Sequence, residues 1–218
     1  MDNGGSSPLH IAASRGHLAV VNYLFQKKDV KPDSDGCLPI HLAAQNGHLK
    51  AVERLLREER NQDVRDSYGH TPIFLASRND HTRIAEFLLD NGADVRTSSN
   101  SGGTPLHCAA RNGNARLVER FLQKGSNPLA RAQGGLTPFH CAVRSGCADV
   151  IEIFLKPGID CNIQSYYWST PLSIAAFQGN LNMVNRLLTA GADPHIRNCN
   201  GRTIASFFFS LFRFSAGS

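Results

Sequence analysis

A proline that recurs at a nearly fixed interval constrains the fold of this 218-residue chain more than any other feature. The recurring prolines are Pro8, Pro39, Pro72, Pro105, Pro138 and Pro171. The first interval is 31 residues, the next four are 33, and one further step of 33 reaches Ile204. A period of this length is typical of stacked helical repeats, each too small to bury its apolar face alone. We therefore predict one continuous array, whose function must lie on its surface.

Each repeat is predicted to contain two helices. In the fourth, Pro105 fits the first position of a helix because its missing N–H is not needed there. Gly113 and Asn114 then break the chain, and Gly125 ends a second helix. The apolar face of that second helix is Ala115, Val118, Phe121 and Leu122. The corresponding set in the sixth repeat is Leu181, Val184, Leu187 and Leu188. The same phase predicts that Leu88 is buried.

Composition restricts the class of protein. The hydrophobic content of 41% is enough for a continuous core, and the net charge of +5 is only mildly basic. The six cysteines show no CxxC or zinc-binding spacing, and no secretory leader opens the chain. We expect a cytoplasmic or nuclear protein without a membrane segment, since the Phe-rich stretch 204–212 is too short to cross a bilayer.

Several segments match a known motif. Residues 7–13, 38–44 and 104–110 read SPLHIAA, LPIHLAA and TPLHCAA, and residues 92–95 close a repeat with GADV. The chain thereby resembles the ankyrin-repeat family. The resemblance implies an all-α solenoid of paired antiparallel helices with β-hairpin-like loops, and a role in binding other proteins. It divides residues 2–218 into a single array with repeats at about 2–32, 33–65, 66–98, 99–131, 132–164, 165–197 and a partial 198–214.

The resemblance also assigns the histidines that recur at one motif position, namely His10, His41, His107 and His140. In the family this imidazole is a hydrogen-bonding brace between neighbouring loops. Because the four are spread one to a repeat, they cannot converge on one metal ion. The chain also lacks the GxSxG, HExxH and GxxxxGK[ST] motifs. We therefore predict no catalytic, cofactor-binding or metal-binding residue.

Departures from the motif carry their own predictions. Phe74 stands where the motif has histidine, and Asp80 stands where it has glycine. Glu59 replaces the glycine that ends the second helix of a repeat, so that helix is expected to run on or to end loosely. Trp168 occupies the glycine position of a loop. Since bulky residues avoid positive φ, we predict that this loop adopts another shape.

The C-terminus is rich in phenylalanine from Phe207 to Phe214, where a terminal repeat normally exposes a polar face. One interpretation is that this segment caps the sixth repeat. The other, which we favour, is that the chain is a fragment of a longer array.

Three arginines share one phase, six residues after the motif proline of successive repeats: Arg78, Arg111 and Arg144. They are predicted to form a ladder about 8–10 Å apart, the usual spacing of packed helices. Guanidinium groups in such a row suit the carboxylates of an acidic partner. The alternative is a solvated row that merely favours the helix dipole and binds nothing.

Aromatic residues cluster in the sixth repeat. Tyr166, Tyr167 and Trp168 lie in its loop, and Phe177 has the phase of the arginine ladder. Aromatic rings on a loop are favoured as interface anchors. The alternative for Trp168 is that its ring folds under the loop and fills space. With two further exposed positions, the predicted partner-binding residues are Tyr68, Arg78, Arg111, Asn112, Arg144, Tyr166, Tyr167, Trp168 and Phe177.

The leading functional hypothesis is a non-catalytic scaffold or adaptor that binds a protein with an acidic and apolar segment. A second is that the array is the targeting arm of a larger enzyme, such as a kinase or ubiquitin ligase. A third is weak binding of nucleic acid or an anionic surface. The near-balance of 23 basic against 18 acidic residues disfavours the third.

Overall fold

The computed structural model describes residues 5–25, 30–59, 61–156, 158–197, 200, 201 and 203. Within these residues there are twelve α-helices, one short 3₁₀ turn and no β-strand, as the sequence predicts for an all-α array. In chain order the α-helices are α1 Pro8–Ser14, α2 Leu18–Phe25, α3 Pro39–Gln45, α4 Leu49–Glu59, α5 Pro72–Arg78, α6 Thr82–Asp90, α7 Pro105–Arg111, α8 Ala115–Gln123, α9 Pro138–Ser145, α10 Ala148–Leu155, α11 Pro171–Phe177 and α12 Leu181–Thr189. None of them is long and apolar enough to cross a membrane.

The helices form two layers. The odd-numbered helices each begin at a motif proline and pack on one another in chain order from α1 to α11, and we call them the inner helices. The even-numbered, outer helices α2 to α10 pack in the same order. One apolar cluster runs between the layers from Leu9 to Ala192, so each repeat completes the core of its neighbour.

The predicted register of the outer helices is confirmed at its central positions. Leu88, Phe121 and Leu187 are fully buried. The sixth repeat departs from the prediction, since Leu181 is 70% exposed and Leu188 is 41% exposed. Both belong to α12, the last outer helix among the described residues, and no later described helix covers its far side.

Short loops, which we call fingers, join each repeat to the next, and their shape is conserved through the array. In the third finger the Gly69 N–H donates to Asp66 O at 2.9 Å, and the Asp66 N–H donates to His70 O at 3.0 Å. Adjacent fingers are also linked, because the Asn100 N–H donates to Tyr68 O at 2.9 Å. These paired bonds make the fingers hairpin-like without forming a strand.

The prediction that Trp168 forces its finger into another shape is wrong. Trp168 adopts a φ of 60°, and its N–H donates to Ser165 O at 3.0 Å, as the glycine N–H does in the third finger. The Ser165 N–H likewise donates to Ser169 O at 3.0 Å. The neighbouring finger imposes this geometry through a 2.9 Å bond from the Tyr166 N–H to Gly134 O. The array therefore holds a bulky residue in a conformation that normally suits glycine.

The structure also describes two of the other departures from the repeat motif, at Asp80 and at Glu59. Asp80 takes a φ of 58°, close to the 71° of Gly113 at the equivalent position of the next repeat. Helix α4 continues to Glu59, as the absence of a terminating glycine predicts. The Phe-rich C-terminus and the partial seventh repeat lie outside the described residues, apart from residues 200, 201 and 203.

Candidate functional site

A groove of about 990 Å³ runs along one side of the array. Its floor comes from the C-terminal parts of inner helices α5, α7, α9 and α11, and one wall comes from the fingers that precede them. The helices place residues of the same phase side by side because each inner helix begins at its proline and packs directly on the next. The groove is therefore a product of the repeat itself.

The three arginines predicted to form a ladder all line this groove: Arg78, Arg111 and Arg144. Each lies in the last turn of its helix, and each is exposed. None forms an ion pair with another residue of the described part of the chain. The lining of the groove contains no aspartate, glutamate or lysine among the described residues. The groove thus concentrates positive charge with no internal counter-charge.

Three arginines on the opposite, outer layer are paired with carboxylates. Arg116 lies 2.5 Å from Glu86, Arg120 lies 2.5 Å from Asp90 and Arg186 lies 2.7 Å from Glu152. Each pair joins one outer helix to the preceding one. These acidic side chains therefore form ion pairs that connect successive repeats. The groove arginines have no such carboxylate partner and remain available to a ligand.

Aromatic side chains line the C-terminal part of the groove. They are Tyr167, Trp168 and Phe177, exposed by 68%, 56% and 78%. These values contradict the alternative in which Trp168 folds under its finger. The edge of the Tyr167 ring lies close to Gly134, where an added Cβ would come within 3.2 Å of it. The finger and the end of α11 therefore present large apolar surfaces in the same groove as Arg144.

The other predicted residues lie outside the lining of the groove and make contacts within the array. The Arg131 guanidinium lies over the Tyr166 ring, with its Cζ atom 5.7 Å from the centroid of the ring. The Tyr68 ring stacks on His70 at 5.7 Å, although it is 56% exposed. The Asn112 amide donates to the Ser77 and Arg78 carbonyl oxygens, at 2.9 and 3.3 Å. Asn112 thereby ties α7 to the end of α5.

Comparison with known protein families agrees with this architecture. A family model described as ankyrin repeats in three copies matches residues 9–99 and 95–165, and a second model of ankyrin repeats, described as many copies, matches residues 156–206. The chain belongs to the ankyrin-repeat family. No curated protein matches it at a significant level. The ankyrin assignment covers both the helices and the groove.

The brace predicted for the ankyrin histidines is present. The Thr104 N–H donates to His107 Nδ1 at 3.1 Å, which leaves the ring proton on Nε2 for donation to Leu136 O at 3.1 Å. His140 bridges Thr137 and Ser169 in the same way, at 3.2 and 3.1 Å. Burial lowers the pKa of His107 to about 4 and also lowers that of His140. Both imidazoles are therefore held neutral, and their nitrogens are occupied.

Four of the described cysteines, Cys37, Cys108, Cys141 and Cys161, are buried and are poor nucleophiles. Burial raises the pKa of Cys37 and of Cys108 to about 12. Burial also raises the pKa of Cys141, although the nearby Arg111 acts in the opposite direction. Since the thiolate is the reactive species, these positions behave as small apolar residues. Among the described residues, no three side chains of histidine, cysteine, aspartate or glutamate come together as a metal site would require.

Sequence reasoning missed one group at the N-terminal end of the groove. His70 and Phe74 both line it, and their rings stack with centroids 4.6 Å apart. Asp66 accepts a 2.9 Å bond from His70 Nδ1 and fixes the ring. The sequence contained a signal for this pair, because Phe74 replaces the motif histidine and His70 lies close to it in the chain, two residues before the motif proline. The His70 ring thus stacks on the residue that replaces the histidine of the brace.

Proposed function

We propose that this ankyrin array is a non-catalytic protein-interaction module whose groove binds a partner segment carrying acidic and apolar residues. The observation that carries the proposal is a contrast between the two layers: Arg116, Arg120 and Arg186 of the outer layer are paired with carboxylates, whereas the groove arginines Arg78, Arg111 and Arg144 are not. An exposed, unpaired guanidinium costs the free protein little, and it forms forked hydrogen bonds when a carboxylate arrives.

The aromatic end of the groove supports an apolar component in the partner. Tyr167, Trp168 and Phe177 expose large apolar areas, each side chain being more than half exposed. Rigid aromatic side chains lose little entropy on binding and are common anchors of interfaces. A preformed groove reduces the ordering cost further. If the array belongs to a larger enzyme, the same groove would hold that enzyme's substrate or regulator.

The experiment is selection of peptides from a random displayed library on the folded chain. We expect the enriched peptides to combine acidic with apolar residues. The groove variant carries Arg78→Gln, Arg111→Gln and Arg144→Gln, and a matched control makes the same change at three outer arginines, Arg83, Arg116 and Arg186. Enriched peptides should lose binding to the groove variant only.

Two outcomes would contradict the proposal. One is enrichment of peptides that bind the groove variant as tightly as the native chain. The other is preferential binding of single-stranded oligothymidine, with the steep salt dependence that phosphate contacts produce. Arginines next to aromatic rings also suit single-stranded nucleic acid. Among the described residues, however, the arginines that line the groove number three, and the whole chain carries nearly balanced charge.

A further inference from the structure

The spacing of the groove residues specifies the conformation of the ligand, if the proposed function holds. Arg78, Arg111 and Arg144 share one phase on helices that pack directly, α5 on α7 and α7 on α9. Packed helices have axes about 8–10 Å apart, so the three guanidinium groups repeat at about that interval. Phe177 has the same phase on α11 and occupies the fourth step of the same row.

Three regular conformations of a peptide repeat their side chains on one face at different intervals. A β-strand places every second residue on one face, about 6.6 Å apart. An α-helix presents one face again after seven residues, about 10.5 Å apart. A polyproline II helix has three residues per turn with a rise of about 3.1 Å, so that every third residue faces the same side about 9.3 Å apart. The strand interval is too short for this groove.

The regularity of the row separates the two remaining conformations. An α-helix drifts by about 20° for every seven residues, so the third acidic residue of such a series would face about 40° away from the first. A polyproline II helix has three residues per turn, so every third residue keeps the same face along the row. A polyproline II segment of seven residues reaches all three arginines. It also needs no hydrogen bonds from a neighbouring strand.

We infer that the groove binds a polyproline II segment in which every third residue is acidic, three times in succession, and the next residue in that series is apolar. The three carboxylates pair with Arg78, Arg111 and Arg144, and the apolar side chain lies against Phe177 and Trp168. Because the inference fixes the spacing and not the chain direction, each peptide described below is made with its sequence in both directions. Proline at the intervening positions favours the required backbone and lowers the entropy lost on binding.

The test uses fluorescein-labelled peptides of one composition, three glutamates and one leucine among prolines and alanines. In one set the glutamates and leucine fall at every third position, in the others at every second or every fourth. We expect the third-position peptide to bind the full chain about tenfold more tightly, measured by fluorescence anisotropy, because only it satisfies all three arginines at once. Equal affinities for the three spacings would overturn the inference while leaving acidic recognition intact.

Failure of the proposed function gives a different result. In that case no peptide binds, or all bind equally to the native chain and to the triple glutamine variant of the groove arginines. Circular dichroism confirms that the variant is folded, which is expected because the three arginines are exposed.

The register is tested by pairing single changes. Arg111→Gln should weaken binding of the third-position peptide about fivefold, the upper range for one exposed ion pair. The same change should have little effect on a peptide whose middle glutamate is glutamine. Arg116→Gln on the outer layer is the control. An equal loss for both peptides would show that Arg111 acts through general charge and would overturn the assigned register.

Phe177→Ala tests the other end of the row. This variant should no longer distinguish a peptide with leucine from one with alanine at the fourth position. If the preference for leucine survives, the apolar residue binds elsewhere and the fourth step of the row is wrong.

Discussion

The imidazole of His107 is bonded on both sides, to the Thr104 N–H at 3.1 Å and to Leu136 O at 3.1 Å. Thr104 belongs to the same repeat and Leu136 to the next. One buried ring therefore fixes the start of its own inner helix and the position of the following finger. Because Nδ1 accepts a hydrogen bond and Nε2 donates one, only the neutral ring satisfies both contacts.

Acid should destabilise the array through these rings. The pKa of His107 falls from its ordinary value of 6.5 to about 4 on folding, so the unfolded chain binds a proton that the folded chain does not. The stability is fully present above about pH 6.5 and is lost as the pH falls towards about 4. His107 alone contributes at most about 3 kcal/mol of this change. Urea unfolding at a series of pH values measures it.

His107→Phe copies the substitution that Phe74 represents in the third repeat, and it should flatten the pH dependence. His195→Gln is the control, since His195 is exposed. Identical pH profiles for His107→Phe and the native chain would show that this ring does not carry the effect.

Trp168→Gly should stabilise the fold relative to Trp168→Ala. Both variants remove the ring, but only glycine relieves the positive φ of 60°. A left-handed conformation costs a residue with a Cβ about 1–2 kcal/mol, and the greater freedom of glycine in the unfolded chain offsets part of that gain. We expect a net difference of about 1 kcal/mol in the free energy of unfolding. Equal unfolding midpoints would indicate that the finger relaxes around alanine.

Leu88→Ala should lower the free energy of unfolding by about 2–5 kcal/mol, because Leu88 is fully buried and its loss leaves a cavity. Leu181→Ala removes the same atoms from a side chain that is 70% exposed and should have little effect. Chemical denaturation of the two variants in parallel checks the difference. Similar losses in both would contradict the register of the outer helices.

Replacement of Arg111 and Arg144 by glutamine together should slow association with an acidic peptide about tenfold at low ionic strength. The dependence of the association rate on salt should also become flatter, because fewer charges attract the ligand. Stopped-flow fluorescence measures both. The control changes Arg83 and Arg116, which removes the same charge from the outer layer. An unchanged rate and an unchanged salt slope would remove the ladder from the binding mechanism.

Thiol labelling should distinguish the cysteines. With Cys199 replaced by serine, the partly exposed Cys147 should react first with a maleimide at about pH 8, and Cys37 and Cys108 should react slowly because burial raises their pKa to about 12. In urea all of them should react quickly. Rapid labelling of Cys108 in the folded chain would show that α7 opens readily. Peptide mapping by mass spectrometry identifies the modified positions.

The periodic proline predicted both layers of helices because each repeat solves the same packing problem with the same residue types. It also predicted that Arg78, Arg111 and Arg144 lie in one row. The position of a residue within its repeat determines which way its side chain faces, because every repeat has the same backbone arrangement as the next. This is why a row of exposed residues could be read from spacing alone.

Other features depended on contacts that spacing does not encode. The preference of a single residue for negative φ predicted a distorted finger at Trp168, but bonds from Tyr166 to Gly134 and from Ser165 to Ser169 override that preference. Asn112 was expected to face a partner, yet its amide is used between α7 and α5. His70 was missed because its role depends on the ring of Phe74, four residues away.

The substitution at Phe74 divides the array into joints of two kinds. Histidines donate across each of the other joints between the first six repeats, from His10, His81, His107 and His140, whereas none spans the joint between the third and fourth repeats among the described residues. Solvent-facing pairs cross that joint instead, Arg116 with Glu86 and Arg120 with Asp90. Concentrated salt weakens such pairs and leaves buried imidazoles untouched. High ionic strength would thus weaken the joint between the third and fourth repeats more than the joints braced by His107 and His140, whereas acid would weaken those two joints, since burial lowers the pKa of both imidazoles.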